Sequence, residues 1–213
     1  MKKTIFTFFA LLATFNLFAQ DDPAAKKLLD EVSKKYDGYQ TIQSDFTFAV
    51  QQAQGAPYTD KGVLYLNKTK NQYRIQMTDQ DFISDGKSTW SVLKEDKEVQ
   101  ITSATDNTSS IGPNNIFSFY KTGFKSVFMG NESEKGTALK VVELSPLDTK
   151  VNYFKIKLRI NKNNHIHDVL IFDKSGGRYT YTIKTLYINQ SIAPFRFTFN
   201  TKEYSNYELV DLR

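Results

Sequence analysis

Apolar residues return every three or four positions at the start of the chain: Ala25, Leu28, Leu29, Val32 and Tyr36. That spacing gathers them on one face of a helix. Asp22 is placed to cap it, Pro23 suits its first turn and Gly38 its end. Beyond Gly38 the period falls to two. Ile42, Phe46, Phe48 and Val50 share one face of a strand, and a turn at Gly55-Ala56-Pro57 leads to a second strand beginning at Gly62. Tyr73, Ile75 and Met77 alternate in a third. Ser84-Asp85-Gly86 turns the chain into a strand with Trp90 and Val92, and Lys94 to Lys97 turn it again before Val99 and Ile101.

The middle of the chain breaks this rhythm. Ser103 to Asn115 is polar and carries Gly112-Pro113, which predicts a loop. Asn114 or Asn115 then stands where it can cap a short helix carrying Ile116, Phe117, Phe119 and Tyr120, closed by Gly123. Apolar residues lie on nearly every side of that helix, so it is either buried or covers something greasy. Alternation resumes with Phe154, Ile156, Leu158 and Ile160, turns at Asn161–Asn164, and continues through His165–Asp173. Tyr179, Tyr181 and Ile183 follow a Gly-Gly turn, and Phe195, Phe197 and Phe199 close the series as a last strand.

Strands joined by short turns form an antiparallel meander. About ten or eleven of them make a large curved sheet or a barrel, so the fold class is α+β, mainly β. The apolar face of such a sheet either packs on a second sheet or curls round a cavity closed by helices. Seventeen Phe and twelve Tyr exceed what a small core needs and favour the cavity. By their alternation Phe46, Phe48, Ile75, Met77, Trp90, Phe154, Ile156 and Leu158 are expected to line it, with Trp90 emission reporting on a bound lipid. Leu28, Leu29 and Val32, with Ile116, Phe117, Phe119 and Tyr120, are expected to form its lid.

Lys2 and Lys3, an apolar run from Ile5 to Phe18, and Ala19 before Gln20-Asp21-Asp22 have the order of a secretory signal peptide over residues 1–19. The mature chain, residues 20–213, then shows no internal repeat or linker and is expected to be a single periplasmic domain. The chain contains no cysteine, so disulfides and thiolate metal sites are excluded. Its formal charge of +5 is spread along the chain, without the basic patch that a nucleic-acid site needs. His165 and His167 fall on one strand face with Asp168 opposite, too few ligands for a metal. Asp21-Asp22 and Asp79/Asp81 suit a helix start and a turn. No nucleophile elbow and no phosphate loop is present. An enzyme is not expected, nor a cofactor.

The order of elements resembles the LolA family of outer-membrane lipoprotein carriers. The segments that carry the likeness are the helix with Leu28-Leu29, the strand with Phe46, the glycine-led strand at Gly62 and Ser84-Asp85-Gly86-Lys87 before Trp90. In the second half they are Leu144-Ser145-Pro146, Asp173 before its Gly turn, and Phe195-Arg196-Phe197-Thr198-Phe199. The resemblance spans essentially the whole mature chain. It implies an incomplete antiparallel barrel with a helical lid, whose apolar interior takes the acyl chains of lipoproteins. An inner-membrane ABC transporter would release these lipoproteins, and an outer-membrane receptor could accept them from a monomeric carrier. The physical need is plain: burying a methylene is worth ~0.8 kcal/mol, so a chain of about fifteen cannot cross water unaided. A lipid- or glycolipid-binding or envelope-sensing module on the same scaffold is the alternative, and a small enzyme acting on an apolar substrate is a third reading.

The family usually carries an Arg-Pro pair after the strand that begins at Gly62, with the arginine latching the lid. Lys68-Thr69 stand there in this chain, and Arg74 matches a second family position. The resemblance therefore makes Lys68 and Arg74 the latch candidates. A lysine keeps the charge but not the planar fork of donors.

Overall fold

The computed structural model describes residues 22–105 and 111–213. The expected signal peptide lies outside the described residues. The helix, α1, runs Pro23–Asp37 as its periodicity predicts. The Asp22 carboxylate accepts from the Ala24 amide, and Ala25, Leu28, Leu29, Val32 and Tyr36 are buried. Six strands follow: β1 (Thr41–Gln51), β2 (Tyr58–Asn67), β3 (Gln72–Gln76), β4 (Gln80–Ser84), β5 (Ser88–Leu93) and β6 (Glu98–Ser103). After the middle segment come β7 (Phe124–Glu134), β8 (Thr137–Pro146), β9 (Tyr153–Ile160), β10 (Ile166–Asp173), β11 (Arg178–Ile183), β12 (Tyr187–Ile188) and β13 (Glu208–Asp211).

All thirteen belong to one sheet, ordered β13-β6-β5-β4-β3-β2-β1-β11-β10-β9-β8-β7, with β12 on β1. The pairings are antiparallel except β13 on β6, which is parallel. The sheet does not close on itself: β7 and β13 are its edges. This is the incomplete barrel that the family resemblance implies, with more strands than expected. The β7–β8 hairpin escapes sequence reading because β7 is an edge strand whose second half, Asn131-Glu132-Ser133-Glu134, is polar on both faces. Helix α1 covers part of that edge. The Asp22 amide donates to the Ser126 carbonyl, and the Phe128 amide donates to the Asp22 carboxylate at 2.8 Å.

Two expected elements differ. Residues 113–118 form turns rather than a helix, followed by a single 3-10 turn at Phe119–Lys121. Pro113 and Gly123 leave about nine residues, too few for a helix to stand on its own backbone bonds. Burial of Ile116, Phe117 and Tyr120 therefore sets the backbone path instead. The expected strand Phe195–Phe199 is a 3-10 turn at Pro194–Phe197, in which Phe197 is buried and Phe195 points to solvent, 68% exposed.

The sheet has two covered faces. The inner face carries the main core: Ile42, Phe46, Leu64, Ile75, Val142, Leu144, Ile156, Leu158, Val169 and Ile171, packed under α1 and Ile116-Phe117-Tyr120. Phe46 lies so close over Gly62 that a side-chain carbon there would meet the ring at 2.3 Å, so the β1–β2 pair requires glycine. The outer face of β2–β6 carries a second, smaller core under the C-terminal segment. Ile83, Val92, Val99 and Phe197 are buried there, Trp90 stacks on Phe199 at 5.4 Å, Phe199 stacks on Tyr204, and Arg196 lies over the Tyr65 ring.

Candidate functional site: a lidded apolar interior

The inner face is full at one end of the barrel and hollow at the other. At the filled end α1 is held by a set of bonds around its C-terminus. The Tyr36 hydroxyl accepts from the Ile166 amide at 3.1 Å, Lys35 donates to the Asn163 carbonyl at 2.7 Å, and the Tyr39 hydroxyl bonds His165 Nε2 at 2.8 Å. Tyr36 stacks on Phe117 at 4.7 Å, which joins helix and middle segment into one cover. Burial pushes the Tyr36 hydroxyl well above its ordinary range and pulls His165 below its own, so both are neutral in this setting.

Toward the other end the interior opens into two chambers. The outer one, about 550 Å³, is walled by Phe48, Ile111, Tyr153, Ile171, Tyr179 and Tyr181, with Asp148, Lys150, Asn152 and Asp173 at its rim. The inner one, about 300 Å³, lies over Tyr73, Ile75, Met77 and Phe82 beneath Gly112-Pro113-Asn114. Phe48 and Tyr181 line both. Their rings stack at 4.6 Å between cross-strand partners of β1 and β11. Loss of water pushes the Tyr181 hydroxyl up to about 12. The space suits an apolar, flexible guest with a polar end at the rim.

The residues expected at the cavity divide into three groups. Phe48, Ile75 and Met77 line the chambers. Phe46, Ile156 and Leu158 face the same interior within the packed core. Phe154 and Trp90 do not face it. A bulge between the β9 and β10 registers puts Tyr153 inward, and Phe154 stands outside at 52% exposure against Phe172. Trp90 is cross-strand partner to Ile83 and Ile101 on the outer face. Alternation cannot tell the two faces apart when both are covered, and the C-terminal segment covers this one. The aromatic wall of Tyr153, Tyr179, Tyr181, Tyr73 and Phe82 was not among the expected residues; for Tyr179 and Tyr181 the alternation with Ile183 was the available signal.

Leu28, Leu29, Val32, Ile116, Phe117 and Tyr120 all lie in the cover, with Phe119 half-buried beside them against Phe124. Lys68 Nζ donates to the Tyr36 carbonyl at the end of α1 and lies 3.8 Å from Asp37, which Lys121 of the middle segment also binds at 2.5 Å. Asp37 is held below the usual carboxylate range, first by the hydrogen bond from Lys121. Lys68 thus touches the cover. Arg74 does not: it sits on the outer face, 3.8 Å from Asp81, which Lys94 binds at 2.8 Å. Strand parity places it there, since Tyr65, Arg74, Ile83 and Trp90 are successive cross-strand partners.

The histidines are parted. His165 bonds Tyr39, while a register shift between Ile166 and Asp168 brings His167 beside Asp168 at 2.7 Å rather than opposite it. Glu134, His167 and Asp168 converge, but Arg159 occupies the gap, with Nη2 2.5 Å from both Glu134 and Asp168. The guanidinium already supplies the positive charge that a metal would bring.

Among solved structures, an uncharacterized conserved protein from Thermus thermophilus has a TM-score of 0.59 at 10% identity, covering 88% of this chain and 99% of that one. LprF from Mycobacterium bovis has a TM-score of 0.49 at 12% identity, over 84% of this chain and 99% of that one. A LolA superfamily protein from Nitrosomonas europaea has a TM-score of 0.44 at 13% identity, over 82% and 97%. No curated protein matches the chain by sequence search. The family model of the outer membrane lipoprotein carrier protein LolA matches residues 37–200, from the end of α1 to just past Phe199, and the chain belongs to that family.

Proposed function

We propose that the mature chain is a periplasmic carrier that takes the acyl chains of lipoproteins released from the inner membrane and delivers them to the outer membrane. The observation that carries this reading is the hollow, aromatic-walled end of the inner face under a cover built from α1 and residues 111–123. A carrier must match most of the burial that a membrane gives an acyl chain and still let it go. A cavity under a hydrogen-bonded cover can do both, because opening the cover exposes apolar surface that the guest then fills. The partners in this reading are acylated lipoproteins, the ABC transporter that releases them and an acceptor at the outer membrane; no catalysis is required of the chain.

The test is release of a triacylated lipoprotein from inner-membrane vesicles that contain the transporter. Added carrier should bring the lipoprotein into the soluble fraction as a one-to-one complex, and Phe117→Glu, which sets a charge against the guest, should abolish this. Soluble complexes with free phospholipid but none with lipoprotein would replace the carrier by the lipid-binding alternative.

A further inference from the structure

Each of the two chambers is small for a guest with several chains. A methylene packs into roughly the volume of a water molecule, ~30 Å³. The outer chamber of about 550 Å³ therefore holds one long acyl chain, and the inner chamber of about 300 Å³ is too short for a second of that length. Between them stand Phe48 and Tyr181, stacked at 4.6 Å and lining both spaces. Their backbones are paired within the sheet, Phe48 opposite Tyr181. The passage can therefore open by rotation of the two rings without breaking the β1–β11 ladder. Tyr179 lies beside the pair at 6.4 Å from Phe48 and nearly parallel to it, a surface onto which the Phe48 ring can shift.

We propose that Phe48 and Tyr181 form a gate that sets how many acyl chains the interior accepts: one long chain in the outer chamber while the rings are stacked, and a second only when they swing apart and the chambers merge. The gate deepens the carrier reading and rests on it. A guest with a single chain enters without disturbing the stack, whereas one with two or three chains must displace it. Each further chain then costs the aromatic contact as well as its own ordering.

Native mass spectrometry of the chain with palmitate counts the bound chains directly. The wild type should carry one palmitate, Phe48→Ala/Tyr181→Ala should carry two, and Tyr181→Phe, which keeps the stack, should stay at one. Should the double variant not fold, Tyr181→Leu carries the same expectation of two. Two palmitates on the wild type, or one on a folded variant that lacks the stack, would overturn the gate while leaving the carrier reading intact. No palmitate on the wild type would overturn the carrier reading and the gate with it.

Discussion

Lys68 stands where the family usually has the latch arginine, and its contacts state what a latch must hold. Its ammonium is partly shielded and reaches the Tyr36 carbonyl and the Asp37 carboxylate at the end of α1, the polar end of the cover. Desolvation is the larger influence on it and lowers its pKa, with Asp37 acting in the opposite sense. A lysine makes one directed bond here where a guanidinium could make two. Lys68→Arg should therefore favour the closed cover by about 1 kcal/mol, roughly fivefold, for one added bond. Because a guest with several chains must lift the cover, that variant should bind a fluorescent triacylated lipopeptide more weakly and release it faster to acceptor vesicles. Equal affinities and rates would make Lys68 a solvated surface charge. At this scale the sequence was half legible. Lys68 could be found from its place after β2, and the outward side of Arg74 follows from its alternation with Tyr73 and Ile75, but Phe154 and Trp90 were assigned to the wrong face. One bulge and one covering segment decide those two side chains, and neither leaves a mark in a period of two.

Elements were more legible than residues. Helix α1 follows from its apolar spacing, its Asp22 cap and Pro23, and the strands β1, β2, β3, β5 and β6 follow from alternation and from turn residues such as Gly86 at φ +91°. What escaped were β4, the β7–β8 hairpin with its polar edge strand, the short β12 and β13, and the 3-10 path of residues 119–121, where tertiary burial overrides local preference. Asp22 ties the helix to that edge, and its carboxyl is held below the usual range, first by the bond from the Phe128 amide and then by that from Ala24. A depressed folded pKa means that the ionised group stabilises the fold above its unfolded value, near 3.8, and that this contribution is lost as pH falls through the lower, folded value. Asp22→Ala should lower the melting temperature at pH 7, and the gap between variant and wild type should close under acid below about pH 4. A gap independent of pH would assign the effect to helix propensity rather than to the charged cap.

For the whole molecule, the consequence of two covered faces is that the tryptophan reports on the outer one. Trp90 stacks on Phe199 and lies across the sheet from the hollow. Its emission should therefore stay fixed when a fatty acid binds, contrary to the expectation from alternation alone, and should move to longer wavelength in Phe199→Ala. A shift on lipid binding in the wild type would mean that guest and C-terminal segment are coupled through the sheet. The mainly β class and the lidded interior were legible in the pattern and the aromatic excess. The position of the hollow was not, because filled and empty apolar faces share one periodicity. Only the packing of the inner-face core, with Tyr36 stacked on Phe117, shows which end is full.

The central claim is that this interior shelters acyl chains from water. It is tested most directly by gel filtration of the mature chain mixed with a fluorescent triacylated lipopeptide below its micelle concentration. The account predicts co-elution at the size of the protein with one lipopeptide per chain, and loss of co-elution for Phe117→Glu. Lipopeptide that elutes apart from a folded wild-type protein would contradict it.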